Sequence, residues 1–102
     1  MAGPVFTAIS DFYARATQIL KRGPKANTHE AQLWVINNDG KPVRALMIMG
    51  IADRFISFDI LDDEGEVVGF LLQSESQINA CIRIVPLSGR SARAVGFSAS
   101  DG

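Results

Sequence analysis

From Val5 to Leu20 the apolar residues Val5, Phe6, Ile9, Phe12, Tyr13, Ala16, Ile19 and Leu20 recur at three- and four-residue steps. That period is one face of an α-helix, so the pattern predicts an amphipathic helix over 4–22 that lies on other parts of the fold. Pro4 opens it where a missing N–H costs nothing, and Gly23-Pro24 closes it. Lys21 and Arg22 fall in the last turn, against the negative end of the helix dipole. The stripe implies that Ile9, Phe12 and Ile19 are well buried.

After a polar stretch over 23–30 the period shortens to that of strands. Strands are predicted over 31–36, 43–51, 55–61, 66–73 and 78–85, with a short sixth over 92–97. Asn38-Asp39-Gly40 suits the positive-φ turn of a hairpin, and Asp62-Asp63-Glu64-Gly65 is a polar hairpin tip. Residues 74–77 form a polar break, Pro86 ends the fifth strand, and Ser88-Gly89-Arg90-Ser91 reads as a turn. The stretch 43–51 is almost continuously apolar, so it is expected to be buried on both faces, with Met47 and Met49 in the core. Residues 98–102 read as a frayed tail. One helix followed by five or six closely spaced antiparallel strands suits a small barrel over 31–97 better than a sandwich. The expected class is mainly β, one domain over 1–102.

The chain has 102 residues, 47% of them hydrophobic and 21% charged, which fits a single modest core and leaves little room for disorder. A net charge of −1 hides an uneven layout: 1–30 and 78–102 are basic and 31–77 is acidic. No block is basic enough to require nucleic acid. The single cysteine, Cys81, cannot form an internal disulfide, which favours a reducing compartment and a cytoplasmic location. No stretch reaches the ~18 apolar residues of a membrane span.

Candidate chemistry is sparse. His29, the only histidine, falls in the polar linker with no orienting partner nearby in sequence, and reads as solvated. Cys81 lies in a strand beside Ile82 and reads as a core residue rather than a reactive thiol. One histidine and one cysteine do not make a zinc site, so neither metal nor cofactor is expected. The acids Asp62, Asp63, Glu64 and Glu66 lack the alternation of a calcium loop and read as a solvated tip. Gly89-Arg90-Ser91 is not a phosphate loop, although Arg90 and Arg93 could still attract an anion. Trp34 sits among apolar strand residues and is expected in the core; Phe55, beginning a strand beside Arg54, is expected to be more open. No acid–base pair or nucleophile constellation is visible, which makes an enzyme the weakest class.

The order of elements is similar to that of the Sm-like, Hfq-like family of small β-barrels. The residues that carry the resemblance lie in 31–86: Asp39-Gly40 at the first turn, Asp53-Arg54-Phe55 followed by Ile56-Ser57-Phe58 where the second strand passes into the third, and Ile82-Arg83-Ile84-Val85-Pro86 at the end of the fifth. Where Hfq-like chains carry a Tyr-Lys-His run facing RNA, this sequence has Leu72-Gln73-Ser74-Glu75-Ser76-Gln77-Ile78, with no lysine or histidine and an added carboxylate. The resemblance implies a helix capping a strongly bent five-stranded Sm-like (SH3-like) barrel. It also implies a ring-forming scaffold that binds single-stranded RNA weakly near Arg54, Phe55, Gln73, Ser74 and Gln77. The alternative is a protein-interaction or assembly module without nucleic acid. In Sm-like chains the fourth strand of one copy pairs with the fifth of the next, which places Val68, Phe70, Ile82 and Ile84 at a contact between copies. Both strands are rich in apolar residues and poor in charges, a hazard for free edges, so a homo-oligomer is expected.

Overall fold

The computed structural model describes residues 3–52 and 54–100. Its elements are α1 (Pro4–Arg22), β1 (His29–Ile36), β2 (Pro42–Ile51), β3 (Phe55–Leu61), β4 (Val67–Ser74), a single 3-10 turn (Glu75–Gln77), β5 (Ala80–Pro86) and β6 (Gly96–Ser100). The sheet runs β4-β3-β2-β1-β5, all antiparallel, and β6 adds to β2. The class is mainly β, as the periodicity predicts.

The sheet does not close into a barrel. Its two outermost strands, β4 and β5, are not paired with each other. Register shifts between Ala45 and Ile48 on β2, and between Ile60 and Leu61 on β3, bend it instead. The bend divides β2 into two working halves. Residues 42–45 pair with β1, whereas 47–51 pair in parallel with β6, from Met47 opposite Gly96 to Ile51 opposite Ser100. This corrects two expectations. The sixth strand is not 92–97 but Gly96–Ser100, and it contains residues 98–100 of the expected frayed tail; residues 101 and 102 lie outside the described part. At Gly96 the Met47 side chain lies over the backbone: a Cβ there would come within 2.6 Å of the Met47 sulfur, so a larger residue requires that exposed, flexible side chain to swing away.

The core lies on one face of this bent sheet. Leu33 and Val35 of β1, Ala45 and Ile48 of β2, and Ile56 and Phe58 of β3 interlock with Phe6 and Ile9 of α1, Leu71 of β4 and Val95. The alternation of strand side chains puts these residues on the inner face and their neighbours on the outer one, where Gln32 and Arg44 are buried as well. For the same reason Met47 and Met49 are exposed, not core: beyond Ala45, β2 is covered on one face only. The Asp39-Gly40 hairpin forms as expected, with Gly40 at φ 80°.

α1 occupies its predicted span. Its N-terminus is served by Glu75, whose Oε2 accepts the Val5 N–H at 3.1 Å, a carboxylate placed on the positive end of the dipole. Only its first half is packed. Phe6 and Ile9 are buried, but Phe12 is 47% and Ile19 63% exposed. The second half of the helix stands off β5 across an open apolar groove, so its stripe is not consumed by the fold. Phe12→Ala is therefore expected to cost about 1 kcal/mol in urea unfolding of the dilute protein, the share of a half-buried ring. An enclosed ring costs about 3–5 kcal/mol. A loss of that size for Phe12 in single chains would contradict this placement.

Candidate functional site

Three places on the molecule have the chemistry or the exposure to act. The first is the turn between β2 and β3. Arg54 and Phe55 are both exposed there. Phe55 lies directly opposite Ser74 in the β3–β4 register, and the Arg54 carbonyl accepts the Glu75 N–H at 2.8 Å. With Ser76, these residues line a cleft of about 410 Å³. The structure thus brings together Arg54, Phe55 and Ser74 of the sequence-predicted set, together with the Glu75 carboxylate. It does not bring in the other two. Gln73 points inward and is only 3% exposed; its Nε2 donates to the Ile36 carbonyl at 2.8 Å and to Asn38 Oδ1 at 3.3 Å. It ties β4 to the first hairpin and has no face to offer a ligand. Gln77 is exposed in the 3-10 turn but lies outside the cleft lining. Asp53, quoted for the resemblance, is outside the described residues.

The second place is the pair of sheet ends. On β4, Val68, Phe70 and Leu72 alternate with the inward Leu71 and Gln73 and stand in solvent. At the other end Ile82 is half-buried and Ile84 exposed. They form one wall of a groove of about 520 Å³ whose other wall is Phe12, Ala16, Ile19 and Leu20 of α1. The lining is almost wholly apolar.

Of the third place the sequence points only to Arg90 and Arg93, as able to attract an anion; the anion they meet is a carboxylate of the chain itself. Glu30 is only 2% exposed, yet it carries a carboxylate. Its Oε1 accepts the Arg93 backbone N–H at 3.2 Å and Arg44 Nη2 at 3.5 Å; its Oε2 accepts Arg90 Nη2 at 2.9 Å and Gln32 Nε2 at 3.1 Å. Burial pushes its carboxyl pKa up. The Gln32 and Arg93 hydrogen bonds and the Arg44 and Arg90 charges outweigh this and hold it below the usual glutamate value. Arg44 is buried beside it, and desolvation lowers its pKa, with Glu30 opposing and Arg90 and Arg93 adding to the fall. The chain leading to β6 is fastened by these bonds, by Arg93 Nη1 donating to the Gly65 carbonyl, and by the Val95 N–H donating to the Tyr13 hydroxyl at 3.0 Å. The signal in the sequence is the alternation Glu30-Gln32-Trp34 against Ala31-Leu33-Val35, a polar stripe on a strand that starts earlier than 31.

Other residues fall as follows. Trp34 is half-buried on that polar stripe, not in the core; its Nε1 donates to Gln32 Oε1 at 3.0 Å, and the Arg83 guanidinium lies 4.2 Å from its ring centre. Cys81 is exposed, because it pairs with Trp34 on the same outward face. His29 opens β1 instead of lying in a loop, with Nδ1 2.7 Å from the Thr28 hydroxyl. Asp62 shapes the acidic tip: its Oδ1 accepts the Glu64 and Glu66 N–H groups at 2.9 Å each. Among the described residues no three His, Cys, Asp or Glu side chains gather as a metal site would need, and no helix is long and apolar enough to cross a membrane. No protein-family model, curated protein or solved structure matches this chain.

Proposed function

We propose that the chain is a self-assembling module of the Sm-like kind, in which β4 of one copy docks against β5 of the next. The observation that carries this reading is the outer row of β4. Phe70 is 77% and Val68 63% exposed, on a terminal strand with no partner on its far side among the described residues. A strand with those features is a template for another strand. The opposite end of the same sheet offers the complement: β5 is terminal too, and an apolar groove runs beside it. A contact between unlike ends is heterologous, and it closes into a ring when the rotation per copy divides the circle. The strand order β4-β3-β2-β1-β5 leaves both strands terminal, as such pairing requires. Light scattering after size exclusion should give a multiple of 11.0 kDa at micromolar concentration. A clean single-chain mass would overturn the reading.

A second reading, that the assembled copies hold single-stranded RNA, is supported by the exposed Phe55 ring beside the exposed Arg54. The Glu75 carboxylate in the same cleft and the commitment of Gln73 to the fold weigh against it. If RNA is held there, uridine- and adenine-rich oligonucleotides shift weakly in an electrophoretic assay, the shift fades with added salt, and Arg54→Ala weakens both alike. No shift at low salt removes RNA and leaves assembly.

A further inference from the structure

The groove of about 520 Å³ between α1 and β5 has Phe12, Ala16 and Ile19 on one wall and Ile82 and Ile84 on the other, and Lys25 is the only charged residue in its lining. Ile82 and Ile84 stand in register with Leu33 and Ala31, on the inner face of the sheet that α1 covers. Phe70 stands in register with Asp59, on the outer face. Within one chain the groove and the β4 row therefore look to opposite sides of the sheet.

Strand direction decides whether a second copy's β4 can bring that row to the groove. Through the antiparallel order β4-β3-β2-β1-β5 the two terminal strands run the same way. A neighbour's β4 that pairs antiparallel with β5, unlike end to unlike end, must then belong to a sheet turned over. Its outer row lands on the helix-bearing face of β5. Parallel pairing keeps the faces in line and turns Phe70 away from the groove. Charge selects the antiparallel arrangement. Pro4 and Val5 of α1 lie with Ala80 at the start of β5, and Pro24 and Lys25 lie with Ile84 near its end. The exposed Lys21, Arg22 and Lys25 thus stand at the end of β5, while the exposed Glu64 and Glu66 precede β4. Antiparallel pairing brings those acids to those bases. Parallel pairing brings them to the start of α1, where Glu75 already sits.

We propose that the groove receives the outer row of β4 from a second copy, with the Phe70 ring seated between Phe12 and Ile19 of α1 and Ile82 and Ile84 of β5, and Leu72 directed towards Ala80. This rests on the β4-to-β5 reading of assembly and adds to it the face, the direction and the part taken by α1. The contact covers the free half of the α1 stripe and the β4 row together, and burial of both is what favours it.

In a Cys81→Ser background, Ala16→Cys with Phe70→Cys in one chain, oxidised with diamide, should give a ladder at multiples of 11.0 kDa on a non-reducing gel. Phe70→Cys with Arg83→Cys should give none, because Arg83, in register with Gln32, is on the opposite face of β5. In light scattering, Ile19→Lys, at an exposed position that the single chain tolerates, should weaken association at least about tenfold, and Gln18→Lys beside it should not. A wild type that is a single chain and forms no ladder overturns the assembly reading and this proposal together. An assembly that Phe70→Lys dissociates but Ile19→Lys leaves intact keeps the strand contact, leaves the groove to another occupant and overturns the proposal alone. So does a ladder through Arg83→Cys instead of Ala16→Cys, which shows the parallel arrangement, or a covalent dimer from Phe70→Cys by itself, which shows β4 against β4.

Discussion

Phe70→Lys is expected to reduce the assembly to folded single chains of 11.0 kDa. The isolated fold gains almost nothing from this ring, because Phe70 is the most exposed large apolar side chain among the described residues. A lysine on the outer face of β4 is therefore tolerated by the single chain, and it is the residue natural edges use against pairing. In the assembled state the account reverses. Burying a phenylalanine ring contributes about 1.5–3 kcal/mol, and a lysine in its place brings a charge into an apolar contact. At 1.4 kcal/mol per factor of ten, affinity between copies should fall by at least about a hundredfold. The measurement is the mass by light scattering, with the far-UV spectrum confirming the fold. A folded variant that keeps the wild-type mass would place the contact elsewhere. Ile84→Lys separates the geometries: it dissociates a β4-to-β5 ring, but leaves intact a dimer joined through β4 alone.

The helix and the turns were legible because their signals are local. Pro4 and Gly23 bracket α1 where it is found, β3 spans 55–61 as its alternation indicates, and Asp39-Gly40 makes its hairpin. What escaped depends on residues far apart in sequence. β6 is too short for its own period to declare it. It is fixed by partners, with the Phe97 ring 6.0 Å from Phe6 and 5.8 Å from Tyr13. The run 43–51 looks core-like because, Arg44 apart, it is apolar on both faces, but beyond Ala45 only one face is covered. Closure failed as an expectation because register shifts bend the sheet without bringing β4 to β5.

The candidate sites divide the same way. Phe55 is open and Arg54 stands beside it, as a strand beginning in a turn suggests. Gln73 escaped because nothing in a lone glutamine shows that it faces inward, whereas the alternation with Leu72 and Ser74 fixes its side once β4 exists. The Glu30 network escaped because its members come from 30–44 and 90–93, and only the sheet brings them together. A boundary at Ala31 rather than His29 left the decisive carboxylate in the linker.

That carboxylate carries the largest expected effect on stability. Glu30→Ala removes the acceptor of four hydrogen bonds and leaves Arg44 buried without a counter-charge. Breaking a buried ion pair from one side costs about 3–5 kcal/mol, much of what a domain of this size has. Urea unfolding at pH 7 should show that loss, against almost none for Asp63→Ala on the exposed tip. Acidity supplies a second, independent reading. The Glu30 carboxyl titrates below its usual value of 4.5 in the folded chain, so its contribution is complete above that pH and drains away as pH falls through the lower folded value. Glu30→Ala lacks this group, and its stability should decline less steeply over that interval than the wild type's. Replacing both partners tests the cause: Glu30→Leu with Arg44→Met buries no charge and should recover most of the loss, while Arg90 returns its guanidinium to water and Arg93 keeps its bond to the Gly65 carbonyl. Parallel acid curves for wild type and Glu30→Ala, or a double variant no better than the single one, would mean that Glu30 acts by packing and not by its charge.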